Sequence, residues 1–119
     1  MSNSKSLKLR EFRKMLRNFN ALDSKMQVST VLALVEIAIA NEDKQDITTK
    51  DLEKAMGVMS GTASRNTYYW GDGHKMMSGA FGFVKVEMNP DDRRRRTLNL
   101  TEKGKFFINQ LTEGTNGST

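Results

Sequence analysis

The sequence predicts a mainly α-helical chain carrying one small β-hairpin. Two observations predict it: apolar residues recur at three- and four-residue intervals through much of the chain, and a single late segment, FVKVEM, is β-branched and aromatic with a turn behind it. A length of 119 residues suits one core.

The elements follow in order. Between Leu7 and Leu22, residues Leu9, Phe12, Leu16, Phe19 and Leu22, with Met15 beside them, form an apolar stripe, and Lys8, Arg10, Arg13, Lys14 and Arg17 occupy much of the remaining circumference. Ser24 stands three residues before Gln27, a capping-box pattern, and opens a nearly all-apolar segment from Val28 to Ile39 that is expected to be a central, buried helix. NEDKQD (41–46) reads as a polar connection. Thr48, three before Asp51, caps a third helix over 49–56, which Gly57 terminates. A fourth helix begins near Ser60 and runs to Trp70, where Gly71-Asp72-Gly73 interrupts it. HKMMSGAFG reads as a short helix and a loop. FVKVEM (83–88) and RRTLNL (95–100) pair across Asn89-Pro90-Asp91-Asp92. Thr101 and Glu102 lead into a last helix with Phe106, Phe107 and Leu111 on its apolar face, and 112–119 is expected to be a disordered tail.

Composition bounds the function. With 37% hydrophobic and 28% charged residues the chain is globular. No window approaches the roughly 20 apolar residues of a membrane span, and the amino terminus lacks the apolar run of a signal peptide, so a cytoplasmic location without membrane contact is expected. Cysteine is absent, which removes disulfides, thiolate metal sites and cysteine nucleophiles. His74 is alone, without the partners a metal ion or a nucleophile needs, and Asp91 and Asp92 are adjacent on a turn rather than in the separate environments an acid/base pair requires. GDG lacks the strand and lysine of a phosphate loop. No enzyme activity, metal or cofactor is expected. The net charge is +5, but it is segregated: residues 1–20 carry +5, 21–60 carry −3 and 61–119 carry +3. Basic flanks around an acidic middle fit a polyanionic partner.

Helix, turn, helix, then an arginine-rich hairpin is the order of a winged helix-turn-helix, whose second helix enters a DNA groove. In LEKAMGVMSGTASR (52–65), Leu52 and Met56 face inward, Gly57 permits a positive φ in the turn, Val58 plugs the gap and Ala63 lets the helices cross. Ser60, Gly61, Thr62, Ser64, Arg65 and Asn66 supply short donors and one bidentate group to base edges and phosphates.

The chain here resembles the MarR-type winged-helix transcription regulators over about residues 26–111. The likeness rests on ITTKDL (47–52), TASR (62–65), GFVKVEMNPDDRR (82–94) and LTEKGKFF (100–107), and above all on Asp92, Arg93 and Arg94 followed by Leu100, Thr101 and Gly104. It implies a dimeric regulator whose recognition helices lie in successive major grooves of double-stranded DNA and whose wings reach minor grooves or phosphates. Three departures stand out. Sixteen residues separate Arg65 from Gly82, about twice the family's usual number, which marks 66–81 as an insertion. Met59 takes the place of a common capping Ser or Thr, with Ser60 next in line. Family members also continue past the position of Leu111 into long dimerisation helices, so dimerisation is expected to lean on residues 1–22.

The DNA-binding candidates are therefore Ser60, Thr62, Ser64, Arg65, Asn66 and Tyr69 on the fourth helix and Lys85, Arg93, Arg94, Arg95 and Arg96 on the wing, with Asp92 bracing an arginine across the turn. Each has a plainer reading. The fourth helix can be a solvated polar face, the arginines a soluble hairpin tip, and at least one of Tyr68, Tyr69 and Trp70 core. Residues 1–22 form the amino-terminal helix, 23–111 the DNA-binding unit. The expected function is sequence-specific DNA binding in transcription regulation. The alternative is a winged helix that grips a protein of a transcription or replication machinery through its basic first helix or the insertion. A small-molecule effector is common among the regulators it resembles, and no residue here identifies one.

Overall fold

The computed structural model describes residues 4–57, 60–71, 81–88, 91–92 and 94–113, with Ser60 described in its backbone alone. Five helices and one hairpin appear in the order α1 (Ser4–Leu22), α2 (Val28–Glu42), α3 (Thr49–Met56), α4 (Ser60–Trp70), β1 (Val84–Met88), β2 (Arg96–Leu100) and α5 (Glu102–Thr112). Among the described residues no helix is long and apolar enough to cross a membrane. The short helix expected in HKMMSGAFG, the plug at Val58, His74 and the tail from 114 lie outside the described residues.

The helix pair forms as its caps predict. Thr48 Oγ1 accepts from the Asp51 N–H at 3.1 Å while the Asp51 carboxylate accepts from the Thr48 N–H at 3.0 Å, a reciprocal box. Gly57 ends α3 at φ +65°, a left-handed position where a side chain would be strained. Leu52 and Ala63, both fully buried, sit on α3 and α4 in one core with Leu34 and Ile37 of α2.

α2 departs from expectation at both ends. Ser24 and Gln27 do not form a capping box: the Asp23 side chain takes the Lys25 N–H at 2.9 Å, the turn bends there, and the helix starts at Val28 with no side-chain cap. Nor is α2 buried all round, since Val28, Leu32 and Ile39 are exposed. Its carboxyl end reaches into the segment expected to be a connection, and Asn41 uses it: the side-chain N–H donates to Leu98 O at 3.2 Å and the side-chain oxygen accepts from Leu100 N–H at 2.8 Å. Ile47 O accepts from Leu98 N–H at 2.8 Å on the same strand. Asn41 and Ile47 thus satisfy backbone groups of β2 that lack a third strand.

β1 and β2 pair antiparallel, Val84 opposite Leu100 and Met88 opposite Arg96. Thr101 explains why its position suits threonine: its hydroxyl caps α5 by accepting from Gly104 N–H at 3.1 Å and donates to Gly82 O at 2.6 Å. Gly104 is packed so close to the Phe83 carbonyl that a Cβ there would collide with backbone. Residues 66–70 of the expected insertion belong to α4, and the chain on the two sides of 72–80 is tied together, Gly82 N–H to Gly71 O at 3.0 Å and Phe83 N–H to Trp70 O at 2.7 Å.

Candidate nucleic-acid interface

The phase of α4 decides which of its polar residues can meet a ligand. Ala63, Asn66, Thr67 and Trp70 are buried, and Gly61, Arg65 and Tyr68 are exposed at four- and three-residue spacing, which places those three on the outer face. Thr62 and Ser64 flank that face, half-buried. Two candidates are thereby corrected. Asn66 is 5% exposed and its side-chain oxygen accepts from Thr30 Oγ1 at 2.8 Å, so its amide is spent fastening α4 to α2. Tyr69 turns inward: its hydroxyl donates to Asp23 Oδ2 at 2.6 Å and its ring meets Trp70 and Phe81 edge-on. Tyr68, half exposed, holds the outward position instead. Trp70 is wholly buried, donates to Thr30 O at 2.7 Å and stacks on Phe83, which stacks in turn on Phe107.

The hydrogen bond from Tyr69 leaves a mark on both partners. The Asp23 carboxyl is held below its ordinary value, first by the Tyr69 hydroxyl and then by the Lys25 N–H. Burial and the Asp23 carboxylate push the Tyr69 phenol up.

On the wing, Arg94, Arg95 and Arg96 are exposed, and Arg93 lies outside the described residues. Asp92 braces the turn through backbone groups: its Oδ1 accepts from Arg94 N–H at 3.0 Å and its carbonyl from Arg95 N–H at 2.9 Å. Arg95 Nη2 lies 3.9 Å from Asp46 Oδ2, an exposed pair of little energetic consequence. Lys85 does not join the arginines. Strand alternation places it with Glu87, to which it pairs at 3.6 Å, in a polar hollow shared with Asn41, Asn99 and Lys105, while the arginines gather against the start of α3. Among the described residues no group of three His, Asp or Glu side chains is placed to hold a metal ion.

The stripe of α1 divides. Phe19 enters the core edge-on to Trp70 and Phe107, whereas Leu9, Phe12 and Leu16 are 60%, 55% and 42% exposed along an open cleft of about 470 Å³ between α1 and α2. One end of the helix thus packs inward on α4 and α5 through Phe19, and the rest of the stripe presents an apolar face outward.

No protein-family model matches the chain, and no curated protein matches it. Solved structures do. MarR from E. coli in its apo form superposes with a TM-score of 0.62 at 21% identity, over 92% of this chain and 70% of that one. A MarR variant from E. coli complexed with operator DNA gives 0.59 at 21%, over 92% and 71%. A MarR-like transcriptional regulator from Thermotoga maritima gives 0.61 at 18%, over 98% and 77%. The likeness is one of fold, a winged helix of the MarR type, as the order of elements predicts.

Proposed function

We propose that the chain binds double-stranded DNA in a sequence-specific manner and regulates transcription as a homodimer without catalysing a reaction. The observation that carries this reading is the outer face of α4, where Arg65 stands exposed between Gly61 and Tyr68, together with the exposed arginines of the wing. A guanidinium on the exposed face of the second helix of such a pair can donate twice to guanine O6 and N7 in a major groove, and Thr62 and Ser64 offer short donors at its flanks. Buried hydrogen bonds from Thr30 and Trp70 hold the helix at a set angle, as base readout requires. The fold is shared with a protein solved on operator DNA. For the dimer, the support is the apolar row Leu9, Phe12 and Leu16, which a second subunit would cover.

The test begins with a duplex selected from random sequences by the wild-type protein. Arg65→Ala is expected to weaken binding to that duplex by roughly 1–3 kcal/mol and to random duplex far less, measured by titration at one salt concentration. Equal losses on both would remove base readout by Arg65.

A further inference from the structure

Two apolar surfaces lie open on the two walls of one cleft. From α1 come Leu9, Phe12 and Leu16, and from α2 and the elbow before it come Val28, Val31 and Met26, around an open volume of about 470 Å³. The α2 wall runs on beyond the cleft. Val28, Leu32, Val35 and Ile39 recur at four, three and four residues, which aligns them along one side of the helix. Val28 is 76% exposed, and Leu32 and Ile39 are exposed as well. The opposite side of α2, with Ala33, Leu34 and Ile37, is fully buried, so the outward stripe is a second apolar face that the described residues leave uncovered.

The charges beside the two walls are opposite in sign. α1 bears Lys5, Lys8, Arg10, Arg13, Lys14 and Arg17 against Glu11, which helical spacing sets to one side of the apolar row. Arg13 and Arg17 line the cleft; Asp23, which lines it too, is taken by the Tyr69 hydroxyl. α2 bears Glu36 and Glu42 and no cation. Among the described residues, no ion pair includes Arg13, Arg17, Glu36 or Glu42. Packing the α1 row of one copy on the α1 row of another would bring like charges together at an interface, whereas packing it on the α2 stripe brings cations to acids. The lengths also agree: the row from Leu9 to Leu16 rises roughly 10 Å along its helix, and the stripe from Val28 to Ile39 roughly 16 Å.

We propose that the α2 stripe is the seat for α1 of a second copy of this chain: Leu9, Phe12 and Leu16 of one subunit lie on Val28, Leu32, Val35 and Ile39 of the other, with Arg13 and Arg17 beside Glu36 and Glu42. A two-fold axis returns the same contact, so each subunit covers both of its open faces at once. The inference rests on the homodimer of the functional reading and names the surface that the α1 row meets. That surface is distinct from the helices past the position of Leu111 through which the regulators this chain resembles dimerise. It belongs to the helix that anchors α4 through Thr30, so one element would both join the subunits and orient α4.

The experiment compares two double variants of the full chain, Arg13→Glu with Arg17→Glu and Glu36→Arg with Glu42→Arg, by sedimentation and circular dichroism. Each variant alone sets like charges against one another at both contacts, so its dimer dissociation constant should rise by at least about a hundredfold over the wild type. Mixed in equal amounts, the two variants make both contacts opposite in sign again, and a heterodimer of near wild-type affinity should form. Either variant dimerising as the wild type does would overturn the seat on α2 and leave the homodimer intact, and so would a mixture that stays monomeric. A wild type that sediments as a monomer at tens of micromolar would overturn both. Should circular dichroism show a charge variant to be unfolded, Val28→Lys takes its place, because that exposed position leaves the core untouched. It should be folded and monomeric, and a folded dimer would overturn the seat.

Discussion

α4 and the wing carry the two halves of the proposed interface, and they are held in opposite ways. α4 is fastened from behind by Thr30 to Asn66, by Trp70 to the Thr30 carbonyl and by Tyr69 to Asp23, with Trp70 sealed into a ring cluster with Phe19 of α1, Phe83 just before β1 and Phe107 of α5. Among the described residues, the hydrogen bonds that tie the wing to the rest of the fold lie at its base. Asn41, Ile47 and Thr101 hold the inner ends of the strands, whereas Lys85, Val86, Glu87 and Met88 are all exposed and the ion pairs around them are long. The difference suits two tasks. A group that reads base edges must be held in one orientation, and a group that neutralises phosphates can tolerate an arm that gives.

The largest expected effect breaks the fixed side. Trp70→Ala removes a fully buried ring and the donor to Thr30 O, and should cost about 3–5 kcal/mol in denaturant unfolding. That is a large share of the roughly 5–15 kcal/mol that holds a domain of this kind together. Loss of less than about 1 kcal/mol would mean that α4 is not secured from behind and would end the contrast.

A smaller effect, in binding rather than stability, addresses the wing. Replacing Arg94 and Arg96 together by Gln should leave unfolding within about 0.5 kcal/mol of wild type, because both side chains are exposed. The salt dependence should flatten by roughly 0.9 for each phosphate contact removed, with base preference unchanged. A change in base preference would assign the wing a reading role and erase the division of labour.

What could be read from the sequence divides along the same line. The α3 box, the left-handed Gly57, the hairpin and the Thr101 cap are local devices in which a few neighbouring residues determine the geometry, and the structure contains each of them. The phase of α4 is not local. SGTASRNT is small and polar on every side, so no apolar stripe declares which face turns inward; that is decided by Ala63 and Trp70 meeting α2 and by Thr30, 36 positions before Asn66. Read from the sequence alone, Asn66 and Tyr69 therefore fall among the DNA-binding candidates and Tyr68 does not, although Gly61, Arg65 and Tyr68 share a face opposite the inward Ala63 and Trp70. Ser24 to Gln27 has the letters of a capping box, but Asp23, one residue earlier, captures the turn with its own carboxylate.

The smallest expected effect tests whether the inward hydroxyl of Tyr69 contributes to the fastening of α4. The Asp23 carboxyl is depressed from an ordinary value of 3.8, so the stability linked to it is fully present above that pH and disappears as pH falls through the lower folded value. The Tyr69 phenol is raised from an ordinary 10.0, so its contribution is fully present below that pH and disappears as pH rises through the higher folded value. The bond therefore supports the fold between about pH 4 and pH 10, the interval between the two ordinary values. Tyr69→Phe keeps the ring against Trp70 and Phe81 and deletes only the hydroxyl. At neutral pH the variant should melt a few degrees lower, by roughly the effect of one hydrogen bond in a domain of this size. The gap between the two melting curves should narrow as pH falls below 3.8, as Asp23 begins to take up a proton. A gap that stayed constant from pH 7 to pH 3 would show that the hydroxyl acts through packing alone, and α4 would then be held by Thr30 and Trp70 without help from the elbow between α1 and α2.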